Sequence, residues 1–209
     1  MPPATQATLA QTPQSGSFSP SLRHSLREAT RASHLRLHGH AGLGAVQAGT
    51  IDLASYRSIL SRLYGFHVPF ETAAGLAPER SLWLAADLRA LGLTEQDIAA
   101  LPLCPSMPRL DTADRRLGAL YVAEGSTLGG RELAKRLDHL FAPADRNGRR
   151  FFSGRDTDTG KAWRTFCDLL DADNAGEAAR NETIAAAIET FAAFEDWFAD
   201  WKFAVNADA

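Results

Sequence analysis

The sequence predicts an all-α fold, a packed helical bundle, and three observations predict it. Apolar residues recur at the three- and four-residue spacing of amphipathic helices along the chain after Pro20. No segment alternates apolar and polar residues as a half-buried strand does. No repeat period and no internal linker divides the 209 residues, which are most simply one domain.

The elements follow in order. Met1 to Pro20 is rich in Pro, Ala, Ser, Thr and Gln and reads as a disordered tail (1–20) ahead of a single helical domain (21–209). It lacks the basic n-region and apolar h-region of a secretory signal. Pro20 and Ser21 start a first helix carrying Leu22, Leu26, Ala29, Ser33 and Leu37, with Gly39 as its stop and His40 in the following loop. Asp52 caps a second helix through Tyr56, Ile59, Leu60, Leu63, Phe66 and Phe70, closed by Gly75 and Pro78. A third helix spans about Glu79 to Leu91 and ends at Gly92. Thr94 opens a short helical piece with Glu95 and Asp97 in its first turn, where carboxylates suit the helix dipole. Three prolines make Leu101 to Pro108 a connector. A long helix is expected from near Asp111 to about Phe141, a loop over Arg146 to Gly154, and two last helices over Thr157 to Leu170 and Ala175 to Phe203.

Composition excludes several classes. The net charge of −3 argues against a general nucleic-acid binder, which would show a basic excess. No apolar run approaches the ~18 residues of a membrane span. Cys104 and Cys167 are far apart and form no C-x-x-C pair, so two structural thiols in a reducing cytosol are expected rather than a disulfide framework or a zinc site.

Two segments carry the functional signal. In Tyr121-Val122-Ala123-Glu124-Gly125-Ser126-Thr127-Leu128-Gly129-Gly130 three glycines interrupt a helical pattern, and each costs roughly 1 kcal/mol against Ala. A kink, a ligand lying close to a backbone without Cβ atoms, or close helix–helix packing would each explain them. No G-x-G-x-x-G follows a strand and no G-K-[ST] is present, so a phosphate loop is a poor explanation. On the first helix, Arg27, Arg31, His34 and His38 fall within about 60° of one another. That face offers imidazole to a metal and guanidinium groups to carboxylates, or is simply a solvated basic face. Neither Glu-x-x-His pairs nor H-E-x-x-H occur, which removes the di-iron and zincin readings.

Together these segments resemble one family. Leu26-Arg27-Glu28-Ala29-Thr30-Arg31-Ala32-Ser33-His34 is similar to the first helix of haem oxygenases, and Tyr121 to Gly130 to the distal helix of bacterial members, including the type associated with bacteriophytochromes. Arg62-Leu63-Tyr64-Gly65-Phe66-His67 to Glu71 resembles their second helix, and Asp87-Leu88 to Leu91-Gly92 the end of their third. The resemblance spans Leu22 to Phe203 and implies a haem-oxygenase-like bundle with a kinked, glycine-rich distal helix. It implies His34 as proximal iron ligand, and Gly125, Gly129 and Gly130 as the backbone lying over the haem. Arg27, Arg31 and Arg164 would stand near the propionates, with Tyr121 contacting one of them and Phe191 walling the pocket. Many members carry an acid where this chain has Ser126, which leaves the distal water network to Gly125, Ser126, Gly129 and His67. Where many carry an acid four residues after the proximal histidine, this chain has His38.

The activity implied is O2-dependent cleavage of haem b, both substrate and cofactor, to biliverdin, CO and ferrous iron. No flavin or nicotinamide fingerprint is present, so electrons would come from a ferredoxin or a reductase, and a phytochrome is a possible biliverdin acceptor. The same residues suit a haem carrier or sensor that does not degrade its ligand. A thiaminase-like hydrolase on a related fold would need a nucleophilic Cys with a base, and neither Cys104 nor Cys167 has one nearby in sequence. The expected compartment is the cytoplasm, with no nucleic acid or membrane as partner.

Overall fold

The structure is a computed structural model that describes residues 20–141, 147–172 and 176–202. The described residues are helical and contain no strand. The sequence's all-α expectation is met, and the expected 1–20 tail lies, apart from Pro20, outside the described residues.

Helix α1 (Leu22–His38) begins where the Ser21 side chain accepts from the His24 N–H and ends at Gly39. Its buried residues, Leu22, Leu26, Thr30 and Ser33, form one stripe at helical spacing. A short α2 (Ala41–Ala48) follows, where a loop was expected. His40 is its N-cap, accepting from the Leu43 N–H, and Gly49 closes it in the left-handed region at φ 68°. Five small residues without strong periodicity hid this helix in the sequence.

Asp52 caps α3 (Leu53–Ala73), accepting from the Ser55 N–H at 2.8 Å. Its buried Tyr56, Ile59, Leu60, Leu63, Phe66 and Phe70 are the spine of the main core. Helix α4 (Arg80–Ala90) and α5 (Glu95–Ala99) pack behind it, the latter opened by a capping box between Thr94 and Asp97. The proline-rich connector crosses α3 at Gly65, where the Cys104 N–H donates to the Gly65 carbonyl at 2.8 Å; a Cβ at Gly65 would stand 2.3 Å from the Pro102 oxygen.

Helix α6 (Ala113–Lys135) is continuous. The break expected at its glycines does not occur: helical hydrogen bonding passes through Gly125, Gly129 and Gly130, and the Ser126 and Thr127 hydroxyls both donate to the Ala123 carbonyl, at 2.8 and 2.9 Å. It ends six residues short of the expected Phe141, handing over to a 3-10 turn at Asp138–Leu140. The expected loop before Gly154 contains a one-turn helix, α7 (Arg150–Ser153). Its first N–H groups, of Arg150 and Phe151, donate to the Asp87 carboxylate at 2.6 and 2.8 Å. That cap comes from another helix 63 residues away, so no local pattern announces it.

Helices α8 (Thr159–Ala172) and α9 (Glu177–Ala199) complete the bundle. Helix α9 lies against both α1 and α6. Its closest approach to α6 is at Gly118, where a Cβ would stand 2.0 Å from the Thr183 oxygen. A second small core of Leu22, Leu26, Leu170 and Ala187 joins α1, α8 and α9, with Leu117, Tyr121 and Val122 of α6 packed on it.

Candidate functional site

The carboxyl-terminal halves of α1 and α6 bound the candidate site, and α8 shows that they run in the same sense. On α1, Arg23 lies beside Cys167 and stands 4.0 Å from Asp171, at the end of α8. Seven residues further along, Thr30 faces the hydroxyl of Tyr121, whose ring lies 5.9 Å from that of Trp163, near the start of α8. A Cβ on Gly125 would meet the same Trp163 ring at 3.8 Å. His34 is one turn past Thr30 and Gly125 one turn past Tyr121, so both lie on the same side of the Thr30–Tyr121 contact.

His34 is exposed on α1, its ring 4.6 Å from that of His38 and inclined by 66°. Partial burial, then the charge of His38, pushes the His34 pKa below its ordinary value and favours the neutral ring. The His38 Nδ1 lies 2.9 Å from Gln47 Oε1, which ties the pair to α2.

The glycines of α6 divide by surroundings. A Cβ at Gly130 would approach the Phe152 oxygen to 3.1 Å, so that glycine, like Gly118, serves close backbone packing. Gly129 has nothing within 4 Å of such a Cβ, and Gly125 has only the edge of Trp163. Close packing therefore explains Gly130, while Gly125 and Gly129 leave their backbone open. Ser126, between the open glycines, is exposed.

Arg27 and Arg31 are exposed on α1, with no carboxylate paired to either among the described residues; Arg27 lies close enough to Tyr121 to influence it. Burial raises the Tyr121 pKa, and the neighbouring Thr30 hydroxyl opposes that shift. Arg164 is exposed on α8 beside Trp163, and Phe191 is buried on α9. His67 sits elsewhere, on α3, its ring 5.2 Å from Phe151 and 5.7 Å from Phe66. Complete burial, then the charge of Arg80, pushes its pKa down to about 3, and its Nδ1 has no hydrogen-bond partner.

Sequence reasoning missed the ion network behind α6. Arg80, only 2% exposed, donates from Nε to Thr127 Oγ1 at 3.2 Å and from Nη2 to Glu124 Oε1 at 2.8 Å. Arg155 donates to both Glu124 oxygens, at 2.7 and 3.1 Å, and from Nε to Glu79 Oε1 at 3.0 Å. Burial raises the Glu124 carboxyl, but Arg155 and Arg80 outweigh it and hold it below the usual carboxylate range. Its hydrogen bonds to Glu124 and Glu79 raise Arg155 above its ordinary value. The only local hint was Glu124 itself, an acid inside the glycine-rich motif.

Among the described residues no group of three or more His, Cys, Asp and Glu is placed to hold a metal, and no helix is long and apolar enough to cross a membrane. Cys104 and Cys167 are buried and free.

The chain is similar to known proteins in sequence and in fold. A heme oxygenase from Xanthomonas campestris pv. campestris (strain 8004) is 31% identical over 167 residues, covering 72% of this chain and 92% of that protein. The fold is similar to that of a heme oxygenase from Leptospira interrogans (TM-score 0.70, 19% identity, 87% of this chain and 100% of that one). It is also similar to heme oxygenase-1 from the cyanobacterium Synechocystis sp. PCC6803, solved in complex with heme (TM-score 0.69, 20% identity, 87% and 92%). Residues 20–200 match the family described as Heme oxygenase, and with that match the chain belongs to the haem oxygenase family.

Proposed function

We propose that this chain binds haem b with His34 as the proximal ligand and cleaves it to biliverdin, CO and ferrous iron. The observation that carries the reading is the pairing, at one end of the bundle, of an exposed imidazole on α1 with a Cβ-free stretch on α6. The residues fit such a ligand. A planar macrocycle needs one donor atom on one face and room for close backbone approach on the other, and Gly125 and Gly129 leave that room. When bound, haem supplies the iron at which O2 is activated and is itself the molecule opened, with electrons from a ferredoxin or a reductase.

The chain's own residues then have distinct tasks. His34 stays neutral and so remains able to donate its lone pair to iron. Gly125, Ser126 and Gly129 would lie over the opposite face and limit the room left there. The Ser126 hydroxyl donates to the Ala123 carbonyl, so toward a distal water it serves as an acceptor. Arg27, Arg31 and Arg164 would pair with the propionates and so fix the orientation of the macrocycle, with Tyr121 contacting one propionate and Phe191 walling the pocket. Gly130 holds α6 against α7. His67, whose buried Nδ1 lacks a protein partner, supports the water network from behind α6. The haem-binding unit is residues 21–209, with 1–20 as a tail, in the cytoplasm, and a phytochrome is a candidate recipient of the biliverdin.

One observation favours a second reading, a haem carrier or sensor: Ser126 stands where an acid would order water, and its proton is already given to Ala123. One experiment separates the two. Hemin is added to the protein and to His34→Ala, visible spectra are recorded, and ascorbate is supplied under air with catalase present. Formation and decay of a Soret band with growth of biliverdin absorption supports the enzyme, and loss of the native ligation spectrum in His34→Ala supports the ligand. Haem that binds and survives supports the carrier, and absence of a stoichiometric complex rejects both.

A further inference from the structure

Glu124 and Thr127 bracket Gly125 and Ser126 on α6, and both are gripped from the side away from His34. Arg80 bonds the two together, and Arg155 bonds both oxygens of Glu124. Arg80 is itself anchored, because its backbone N–H donates to Glu71 Oε1 at 2.6 Å. The two arginines and the carboxylates of Glu79 and Glu124 balance in charge, and Arg155 reaches Glu79 through Nε as well as Nη2.

This grip lies on the buried side of α6, away from the open Gly125 and Gly129. Helix α6 touches neighbouring backbone closely at Gly118 on α9 and at Gly130 on α7. Between those contacts, the side toward the cleft at Gly125 and Gly129 has almost nothing against it. A helix that meets a ligand with bare backbone must have its height fixed from behind. A bidentate guanidinium–carboxylate pair fixes both distance and direction, which a neutral or purely apolar contact does less sharply.

We infer that Arg80, Glu124 and Arg155 are positioning residues that set, through Glu124 and Thr127, how far the Gly125–Gly129 stretch projects into the cleft. The inference rests on the haem reading above and extends it: the depth of that stretch decides which edge of the macrocycle is presented to oxygen and how tightly a small distal ligand is held.

The test compares the native protein with Glu124→Gln, which keeps shape and removes charge, and with Thr127→Val, which removes only the hydroxyl bond to Arg80. Readouts are the ferric and ferrous hemin spectra, the CO dissociation rate of the ferrous complex and the isomer composition of the biliverdin formed. The expected result is a retained histidine-ligated spectrum in both variants, with CO released ~10-fold or more faster, or a second isomer formed, in Glu124→Gln and a smaller change in Thr127→Val. Should Glu124→Gln not fold, Thr127→Val decides alone by the same readouts. Unchanged CO release and isomer composition, with only a lower Tm, would overturn the inference and leave the haem reading standing. Absence of a hemin complex in the native protein would instead remove the haem reading on which it rests.

Discussion

The Tyr121 hydroxyl faces that of Thr30 across the gap between α1 and α6, while the Thr30 hydroxyl donates to the Leu26 carbonyl at 2.8 Å. This contact lies one turn below His34 and Gly125. Tyr121→Phe keeps the ring on Trp163 and removes only the hydroxyl, so it should lower stability by about 1 kcal/mol. Urea unfolding of the apo protein measures that loss, and hemin titration measures whether affinity falls by more. A loss of affinity larger than the loss of stability would assign Tyr121 a direct contact with the ligand as well.

The two kinds of glycine in α6 should respond oppositely to alanine. Gly129→Ala meets empty space and gains helix propensity, so the apo protein should be stabilised by up to about 1 kcal/mol. The same methyl projects into the proposed haem space, so hemin affinity or turnover should fall. Gly118→Ala would drive a Cβ onto Thr183 backbone, and separation of α6 from α9 should cost about 1–3 kcal/mol or more. Thermal melts of both variants, with hemin titrations beside them, check the contrast. A Gly129→Ala protein that is both stabler and fully active would show that no ligand lies over that position.

What the sequence disclosed and what it hid have a common physical basis. Leu22, Leu26 and Ser33 made α1 readable because burial on one face imposes a period, although Thr30 rather than the expected Ala29 completes the buried stripe, and Asp52 and Thr94 marked helix starts because caps are local. The His34 and glycine motifs were legible as chemistry, since each sits within one short segment. Helix α2 escaped because its small residues impose no strong stripe, and α7 because its cap, Asp87, comes from α4. The Arg80–Glu124–Arg155 network escaped for the same reason as α7: its members are separated by 44 and 31 residues and meet only after α4, α6 and the turn before α8 have packed.

His38 occupies the position from which a neighbouring side chain tunes a ligating imidazole. Its ring lies 4.6 Å from His34, and Gln47 holds its Nδ1. An imidazole there draws on the His34 N–H less than a carboxylate would. His38→Glu should therefore make His34 a stronger donor and lower the ferric/ferrous potential of the hemin complex. Spectroelectrochemical titration of the two proteins reads the shift, and a potential that does not fall would place His38 outside the electronics of the ligand.

The acid behaviour of the fold should be set in part by two buried groups of opposite sign. Burial, then Arg80, holds the His67 pKa at about 3 against an ordinary 6.5. The unfolded chain thus binds a proton that the folded chain refuses. Stability associated with His67 is complete above pH 6.5 and is lost as pH falls toward 3. Burial raises Asp87 to about 6 from an ordinary 3.8, against the opposing bonds from the Phe151 and Arg150 N–H groups. Its contribution has the other sign, complete below 3.8 and lost as pH rises through 6. Between pH 4 and 6 the two slopes, each at most about 1.4 kcal/mol per pH unit, oppose one another. Urea unfolding of the native protein, His67→Phe and Asp87→Asn across this window separates them. Relative to the native protein, His67→Phe should lose stability steadily as pH rises from 4 to 6, and Asp87→Asn should gain it. The His67→Phe curve should also carry a favourable offset, because a buried unpaired Nδ1 has been replaced by carbon. Parallel curves for the native protein and His67→Phe would mean that His67 is protonated in both states across the window, and that its ring nitrogens are solvated by water in the fold rather than left without a partner.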